Sequence, residues 1–335
     1  MDALEYNKSR NYSADQIRII QHVVGVHDDG RWGPNTVEGV RKWQAANGLT
    51  ADGKVGPGTY QAIAAAHQSD AHTADAARVG KIDVVGAWTG QSSFGRISED
   101  VDFCLKVGIN RLDVIVNEHS KARAPMAFGT YTVSKIVNLC KAARDAGLEV
   151  NLMSWIMPHA DYIDGAAAQL LPLLEATGAA SLQWDAEEPW TLAQDPLPYE
   201  DAAQRIAKAF AKRPCPMGVN GIGFTPTEKF GPLAAVCDYL LPQCYATSTN
   251  EARPDRIVDS CVTRWRKTFG ADKPYIIGLA GYRQDGIPGY TATTAMNTVL
   301  GEVRRLGFSK VVYWSLSQIQ KSDEVTAVIE SIRER

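Results

Sequence analysis

The sequence predicts an α/β protein: an eight-fold barrel of alternating strands and helices, preceded by a small all-α domain of three helices. Three observations predict it. From Ile82 onward, short apolar runs alternate with amphipathic stretches eight times in about 255 residues, the rhythm and length of a closed (β/α)8 (TIM) barrel. Before that, the chain spells Asp-Gly-x-x-Gly-Pro-x-Thr twice, from Asp29 to Thr36 and from Asp52 to Thr59, 23 residues apart. Between the two regions, His67–Gly80 is small, polar and aperiodic, and reads as a linker. The expected division is a helical domain over 1–66, a linker over 67–80 and a barrel over 81–335. An open, doubly wound sheet is the alternative, but no glycine-rich phosphate turn follows the first strand.

The helical domain is justified residue by residue. Ser13 with Gln16 forms a capping box, and Ile17, Ile20 and Val24 make the apolar stripe of a first helix. Each repeat then supplies a tight Asp-Gly turn, where glycine tolerates positive φ, and a Gly-Pro helix start, where proline forfeits no hydrogen bond. After the first copy Val37, Val40 and Trp43 share a face until Gly48 ends the helix; after the second, Tyr60, Ile63 and Ala64 do the same.

In the barrel, strands are expected to begin at Ile82, Arg111, Glu149, Ser181, Pro216, Tyr239, Pro274 and Lys310. The clearest helices between and after them are Thr132–Gly147, Ile163–Gly178, Pro198–Lys212, Pro254–Gly270, Thr293–Gly307 and Ser322–Arg335. Several close on glycine after a cationic residue, a helix-stop signal.

Composition narrows the function. The chain is 45% hydrophobic and 22% charged with a formal net charge of -3, so no basic face is expected for nucleic acid. No apolar run is long enough for a membrane span. The N-terminus MDALEYNKSR lacks the apolar core of a signal peptide. The six cysteines, Cys104, Cys140, Cys215, Cys237, Cys244 and Cys261, form no CxxC pair and no metal-ligand spacing with histidine. Reduced, buried thiols are expected, with no metal and no cofactor.

Barrel chemistry sits where the strands end at the C-terminal face. The fourth strand ends Trp184-Asp185-Ala186-Glu187-Glu188-Pro189-Trp190. Residues two apart share a strand face, so Asp185 and Glu187 point the same way and repel each other. Repulsion and burial raise one pKa while the other carboxylate stays ionised, which glycosidic cleavage requires. The sixth strand contributes Gln243 and Tyr245 on one face, and the eighth contributes Trp314. Trp88, Trp155 and Trp190 lie at or beyond strand ends, where rings stack on sugar faces. Glu188 alternates outward as a supporting residue, and Trp184 faces the helices as core. Glu118, His119 and Asp285 are further strand-end candidates. The lesser alternative for Asp185 and Glu187 is a pair of structural carboxylates bonded to neighbouring backbone or arginine.

Two resemblances bear on these residues. Tyr12–Ala66 resembles the helical peptidoglycan-binding module appended to many cell-wall hydrolases, with its doubled turn, its aromatic-Gln pair (Trp43-Gln44) and Asn47-Gly48-Leu49. That resemblance implies attachment to bacterial wall polymer, with Asp29, Arg31, Trp32 and Lys54 as candidate contacts. The barrel resembles chitinase-like and family 25 lysozyme-like glycosidases: WDAEEPW as the acid-bearing fourth strand, LPQCYA (Leu241–Ala246) as the sixth, IIGLAGY (Ile276–Tyr282) as the seventh and VVYWSL (Val311–Leu316) as the eighth. It departs from the longer Asp-x-x-Asp-x-Asp-x-Glu run, since Ala180 and Gln183 occupy the earlier positions, and Asp83 lies near the start of the first strand rather than its end.

The resemblance implies Glu187 as general acid, Asp185 and Tyr245 supporting a substrate N-acetyl group, and Trp314, Gln243, Trp88, Trp155, Trp190 and Tyr282 as substrate contacts. The expected partner is polymeric peptidoglycan, with no nucleic acid and no membrane, and the protein acts as a monomer. The layout resembles that of bacteriophage endolysins, which implies a protein made in the host cytoplasm and released onto the wall. It implies a muramidase, with an endo-N-acetylglucosaminidase, a non-catalytic wall-binding or virion protein, and an amidase or peptidase as the alternatives.

Overall fold

The computed structural model describes residues 1–335 apart from 27–28, 64–65, 67–79, 118–125, 127, 130, 224–227, 271–272 and 333–335. It divides into two compact units, Met1–Val79 and Gly80–Arg335. The expected linker at 67–79 and the candidates Glu118 and His119 lie outside the described residues.

In the first unit, the helices Ala14–Val23, Pro34–Ala46 and 57–63 bury Ile20, Val40, Val55 and Ile63, with Trp32, Trp43, Tyr12 and Tyr60 packed around them. Ser13 and Gln16 exchange both bonds of the capping box, at 2.9 and 3.2 Å. Gly30 and Gly53 take φ of +75° and +73°, which the Asp-Gly turns require.

The duplication extends to its hydrogen bonds. Gln21 accepts from Gly30 N–H at 2.8 Å and donates to Asp29, the Arg31 carbonyl and Thr36. Gln44, 23 residues on, accepts from Gly53 N–H at 2.7 Å and donates to Asp52, the Lys54 carbonyl and Thr59. Each buried glutamine therefore satisfies the turn that launches the next helix. A further short helix, Ala3–Lys8, brings buried Asn7 against the second turn. Asn7 donates to the Gly53 carbonyl at 2.9 Å and accepts from Val55 N–H at 2.7 Å.

The second unit is a closed, all-parallel barrel of β1 (Val84–Thr89), β2 (Arg111–Ile115), β3 (Glu149–Trp155), β4 (Leu182–Asp185), β5 (Met217–Ile222), β6 (Tyr239–Gln243), β7 (Ile277–Ala280) and β8 (Lys310–Trp314), paired in chain order. Apolar side chains between sheet and helices form the main core. Inside the barrel, Trp88, Met153, Tyr239, Leu241, Ile276 and Val312 form a second core. Glycine makes room for it: a Cβ on Gly218 would lie 2.3 Å from the Tyr239 ring. No described helix is long and apolar enough to cross a membrane.

Candidate active site

The barrel interior below the C-terminal rim is polar as well as aromatic. On β2, Arg111 and Asp113 alternate inward and pair in a bidentate fork, Nε to Oδ2 at 2.8 Å and Nη2 to Oδ1 at 2.7 Å. Arg111 also reaches Glu149 at 3.2 Å. Burial alone would push the Arg111 guanidinium down, but Asp113 outweighs it and holds Arg111 above its ordinary range. Burial lifts Asp113 above the usual carboxylate range, and Arg111 opposes that lift.

Above this pair, Gln183 on β4 donates to Asp113 and accepts the Trp88 indole N–H at 3.3 Å. Asn220 on β5 donates to Gln183 Oε1 at 3.4 Å, and Gln243 on β6 donates to Asn220 Oδ1 at 3.1 Å.

Gln243 also lies near enough to Glu187 to favour its charged form. Asp185 ends β4 and is only 2% exposed. The backbone N–H of Glu187 hydrogen-bonds its carboxyl, but Oδ1 is buried with no hydrogen-bond partner. Burial, then the neighbouring Glu187 charge, pushes Asp185 well above the usual carboxylate range. Burial raises Glu187 as well, opposed by Gln243 and reinforced by Glu188. The two titrate as a pair, and the direction for both is upward, favouring retention of a proton.

Tyr245, just beyond β6, is pushed well above the ordinary phenol value by burial and by the charges of Glu187 and Asp185. Its ring stands 6.3 Å from that of Tyr282, which is 36% exposed at the rim. Trp155 is the register partner of Asp185 across β3 and β4, so their side chains leave the sheet on one face. Trp314 ends β8 half-buried, its ring 5.9 Å from that of Trp88, and a cis peptide joins it to Ser315.

The barrel thus brings Asp185, Glu187, Gln243, Tyr245 and Tyr282 together, with Trp155 beside them and Trp314 at another strand end. Two expectations change. Trp88 is 1% exposed and packed inside the barrel, so it supports Trp314 and Gln183 from below instead of presenting a face. Trp190 is fully buried, packed on Tyr199 and donating its indole N–H to the Lys229 carbonyl at 2.8 Å. The short helix Glu188–Thr191 turns its ring into the core, so it offers no platform to a ligand.

Glu188 is exposed. Asp285 is held by Arg283 at 3.0 Å on the surface. Trp184 is buried against Phe210. Sequence reasoning missed Arg111, Asp113 and Asn220, although the spacing of two between Arg111 and Asp113 was a readable signal. Among the described residues no group of three or more His, Cys, Asp or Glu is arranged to hold a metal ion. A cavity of about 410 Å³, lined by Arg96, Glu99, Asp100, Phe103, Gln320 and Lys321 among others, opens between the segments after β1 and β8, and none of the acid-pair residues lines it.

The chain joins a small helical unit to a closed, eight-stranded parallel barrel, an architecture that by itself names no chemistry. Residues 19–63 match the family model described as a putative peptidoglycan binding domain.

The barrel has the fold of a chitinase from Chromobacterium violaceum, at 10% identity and a TM-score of 0.50, over 75% of this chain and 99% of that one. It is also similar to a β-1,3-glucanosyltransferase of Rhizomucor miehei, at 15% identity and a TM-score of 0.51, over 69% of this chain and 86% of that one. A xylanase and α-amylase inhibitor protein from Scadoxus multiflorus shares the fold too, at 11% identity and a TM-score of 0.50, over 73% of this chain and 97% of that one. No curated protein gives a significant sequence match. Enzymes and an inhibitor protein share this architecture, so the chemistry has to be argued from the rim itself.

Proposed function

We propose that the protein is a peptidoglycan glycosidase that cuts the aminosugar backbone as a muramidase. The observation that carries this reading is the carboxyl pair Asp185 and Glu187 crowded at the C-terminal end of β4, with Asp185 buried and its Oδ1 unpartnered; burial pushes both toward the protonated form. Glu187, protonated, gives its proton to the glycosidic oxygen of the leaving sugar. The acetamido oxygen of the sugar on the other side of the cut attacks C1 as the C1–O bond breaks, giving a cyclic oxazolinium ion. Water then adds at C1, losing its proton to the Glu187 carboxylate, and the acetamido group is regenerated. The sugar nucleophile replaces the second carboxylate of the usual scheme.

Asp185 suits the supporting role. Its buried Oδ1 lacks an acceptor's partner, and the acetamido N–H supplies one. Tyr245 donates its O–H to the acetamido carbonyl, and its raised pKa keeps that proton in place. Trp314 stacks on the sugar ring. The first unit holds the protein to the wall, raising the local concentration of bonds without altering the chemical step.

The test is digestion of purified sacculi, borohydride reduction and mass spectrometry of the new ends. Reduced muramic acid ends support the muramidase. Reduced glucosamine ends would make it a glucosaminidase on the same polymer. Binding without new ends of either kind would overturn the catalytic reading, and free stem peptides would indicate an amidase.

A further inference from the structure

We propose that the cavity between the helix Ile97–Val107 and the segment after β8 binds the peptide branches of the wall polymer, taking up their carboxylate and ammonium groups together. The inference rests on the glycosidase reading for the identity of the polymer, and adds a substrate contact away from the acid pair.

Helical spacing builds the site. Arg96 caps the helix Ile97–Val107, and Glu99, Asp100 and Phe103 follow it by three, four and seven residues, along one helix face. From the other side, the short helix Leu316–Ile319 and the residues after it supply Ser317, Gln320 and Lys321, again three and four apart. The two walls are tied at one point, where Gln320 donates to Asp100 Oδ1 at 2.8 Å. The space between them is about 410 Å³, within the roughly 300–1,000 Å³ of small-ligand sites.

Charge decides what fits. Arg96, Glu99 and Lys321 are exposed, and Asp100 is buried. Arg96 stands 3.9 Å from Asp100, too far for a hydrogen bond. Neither Glu99 nor Lys321 pairs with any of the described residues. A purely anionic ligand would be repelled by Glu99 and Asp100, and a purely cationic one by Arg96 and Lys321. A neutral sugar would strip water from these charges and offer no ionic partner in return. The ligand that satisfies the set carries both signs, with an apolar stretch against Phe103. In peptidoglycan the N-acetylated glycan has no ammonium group. Its peptide branches have free carboxylates and, on the third residue, a free amine.

The branch also has the reach. β1 and β8 are neighbours in the barrel, so both walls of the cavity follow strand ends on the side that carries Trp314. Ser317 lies three residues beyond Trp314, so their Cα atoms are at most about 11 Å apart. The lactyl group and first two residues of a branch span about the same length when extended. A sugar stacked on Trp314 can therefore place its peptide in the cavity. Exposed ion pairs are individually weak, so the free peptide should bind with a Kd of about 1 mM. Attachment to a sugar already held raises its effective concentration.

The experiment is an NMR titration of amide-labelled full-length protein with N-acetyl-L-Ala-γ-D-Glu-meso-diaminopimelate, whose acetyl group stands for the lactyl amide. Shifts are expected over 96–103 and 317–321. Arg96→Glu and Lys321→Glu are exposed substitutions beside helix starts, where an acid is tolerated. Each should weaken binding about threefold or more. The dipeptide N-acetyl-L-Ala-γ-D-Glu, which lacks the amine, should bind about threefold more weakly. Shifts confined to the first unit, no shift over either segment, or unchanged affinity in both variants overturns the proposal. So does a dipeptide that binds as well as the tripeptide. The titration involves no cleavage, so it can fail while wall cleavage holds, or hold while wall cleavage fails. Where wall cleavage holds, soluble glycan strands bearing peptides should be cut with about tenfold higher kcat/KM than strands stripped by an amidase. Lys321→Glu should lose that preference, and its retention counts against the site.

Discussion

Asp185→Asn should make the protein more stable and less active, and the stability gain should depend on pH. Asp185 is 2% exposed, and one of its oxygens has no partner. Leaving a buried polar group unsatisfied costs about 1–3 kcal/mol, and more when it is charged. Its folded-state pKa is raised well above that of an ordinary carboxylate. The folded protein therefore binds a proton that the unfolded chain has released. Its stability is fully present below the ordinary carboxylate pKa, near 4, and is lost as pH rises through the folded value.

Asparagine carries no charge at any pH, so the variant escapes that loss. At about pH 8 the gain should be about 1–3 kcal/mol, or about 2–4 °C in Tm per kcal/mol for a domain of this size, and it should shrink toward about pH 4. Wall cleavage should fall by about 10²–10³-fold, as for loss of one preorganised polar group at a reacting centre. Differential scanning fluorimetry across pH, beside turbidity loss of sacculi, reads both. A variant that is less stable than wild type at every pH would refute the reasoning, because Asp185 would then be a satisfied structural carboxylate.

The remaining predictions concern packing, substrate contact and the first unit. Gly218→Ala drives a methyl group into the Tyr239 ring, with 2.3 Å between the built Cβ and the nearest ring atom. It should cost about 1–3 kcal/mol or more in denaturant unfolding, and a neutral result would mean the ring is free to move. Trp314→Ala should raise KM for glycan fragments about tenfold, equivalent to about 1.4 kcal/mol of stacking, and an unchanged KM would remove Trp314 from the substrate contacts. Gln21→Leu and Gln44→Leu should destabilise the first unit similarly, by about 2–4 kcal/mol each, since each strips the same set of turn bonds. Both should weaken sacculus pull-down while sparing cleavage of short soluble glycans. Strongly unequal losses would contradict the equivalence of the two turns.

The sequence carried the barrel well because its signals are local and repeated. Arg111, Glu149, Tyr239 and Lys310 begin their strands where the apolar runs begin, each run being bounded by turn or cap residues. The short helix Ala3–Lys8 was not legible: it has no apolar periodicity, and Asn7 finds its partners at Gly53 and Val55, far along the chain. Asp185, Glu187 and Tyr245 were readable because alternation and the barrel rule together point at a rim. Asp113 and Asn220 escaped because they lie within strands, below the ends on which that rule concentrates, and only closure of the sheet brings them into one hydrogen-bonded chain. Trp190 misled for a related reason. Position beyond a strand end says little about direction once a helix turn begins, as it does at Glu188.

The claim on which everything turns is that Glu187 supplies a proton to a breaking glycosidic bond. The most direct measurement is the rate at which Glu187→Gln generates new reducing ends from sacculi, beside wild type and at matched bound protein. The account predicts a loss of about 10²–10⁴-fold, the usual contribution of a positioned general acid, with wall binding unchanged. New reducing ends released by Glu187→Gln at the wild-type rate would contradict it.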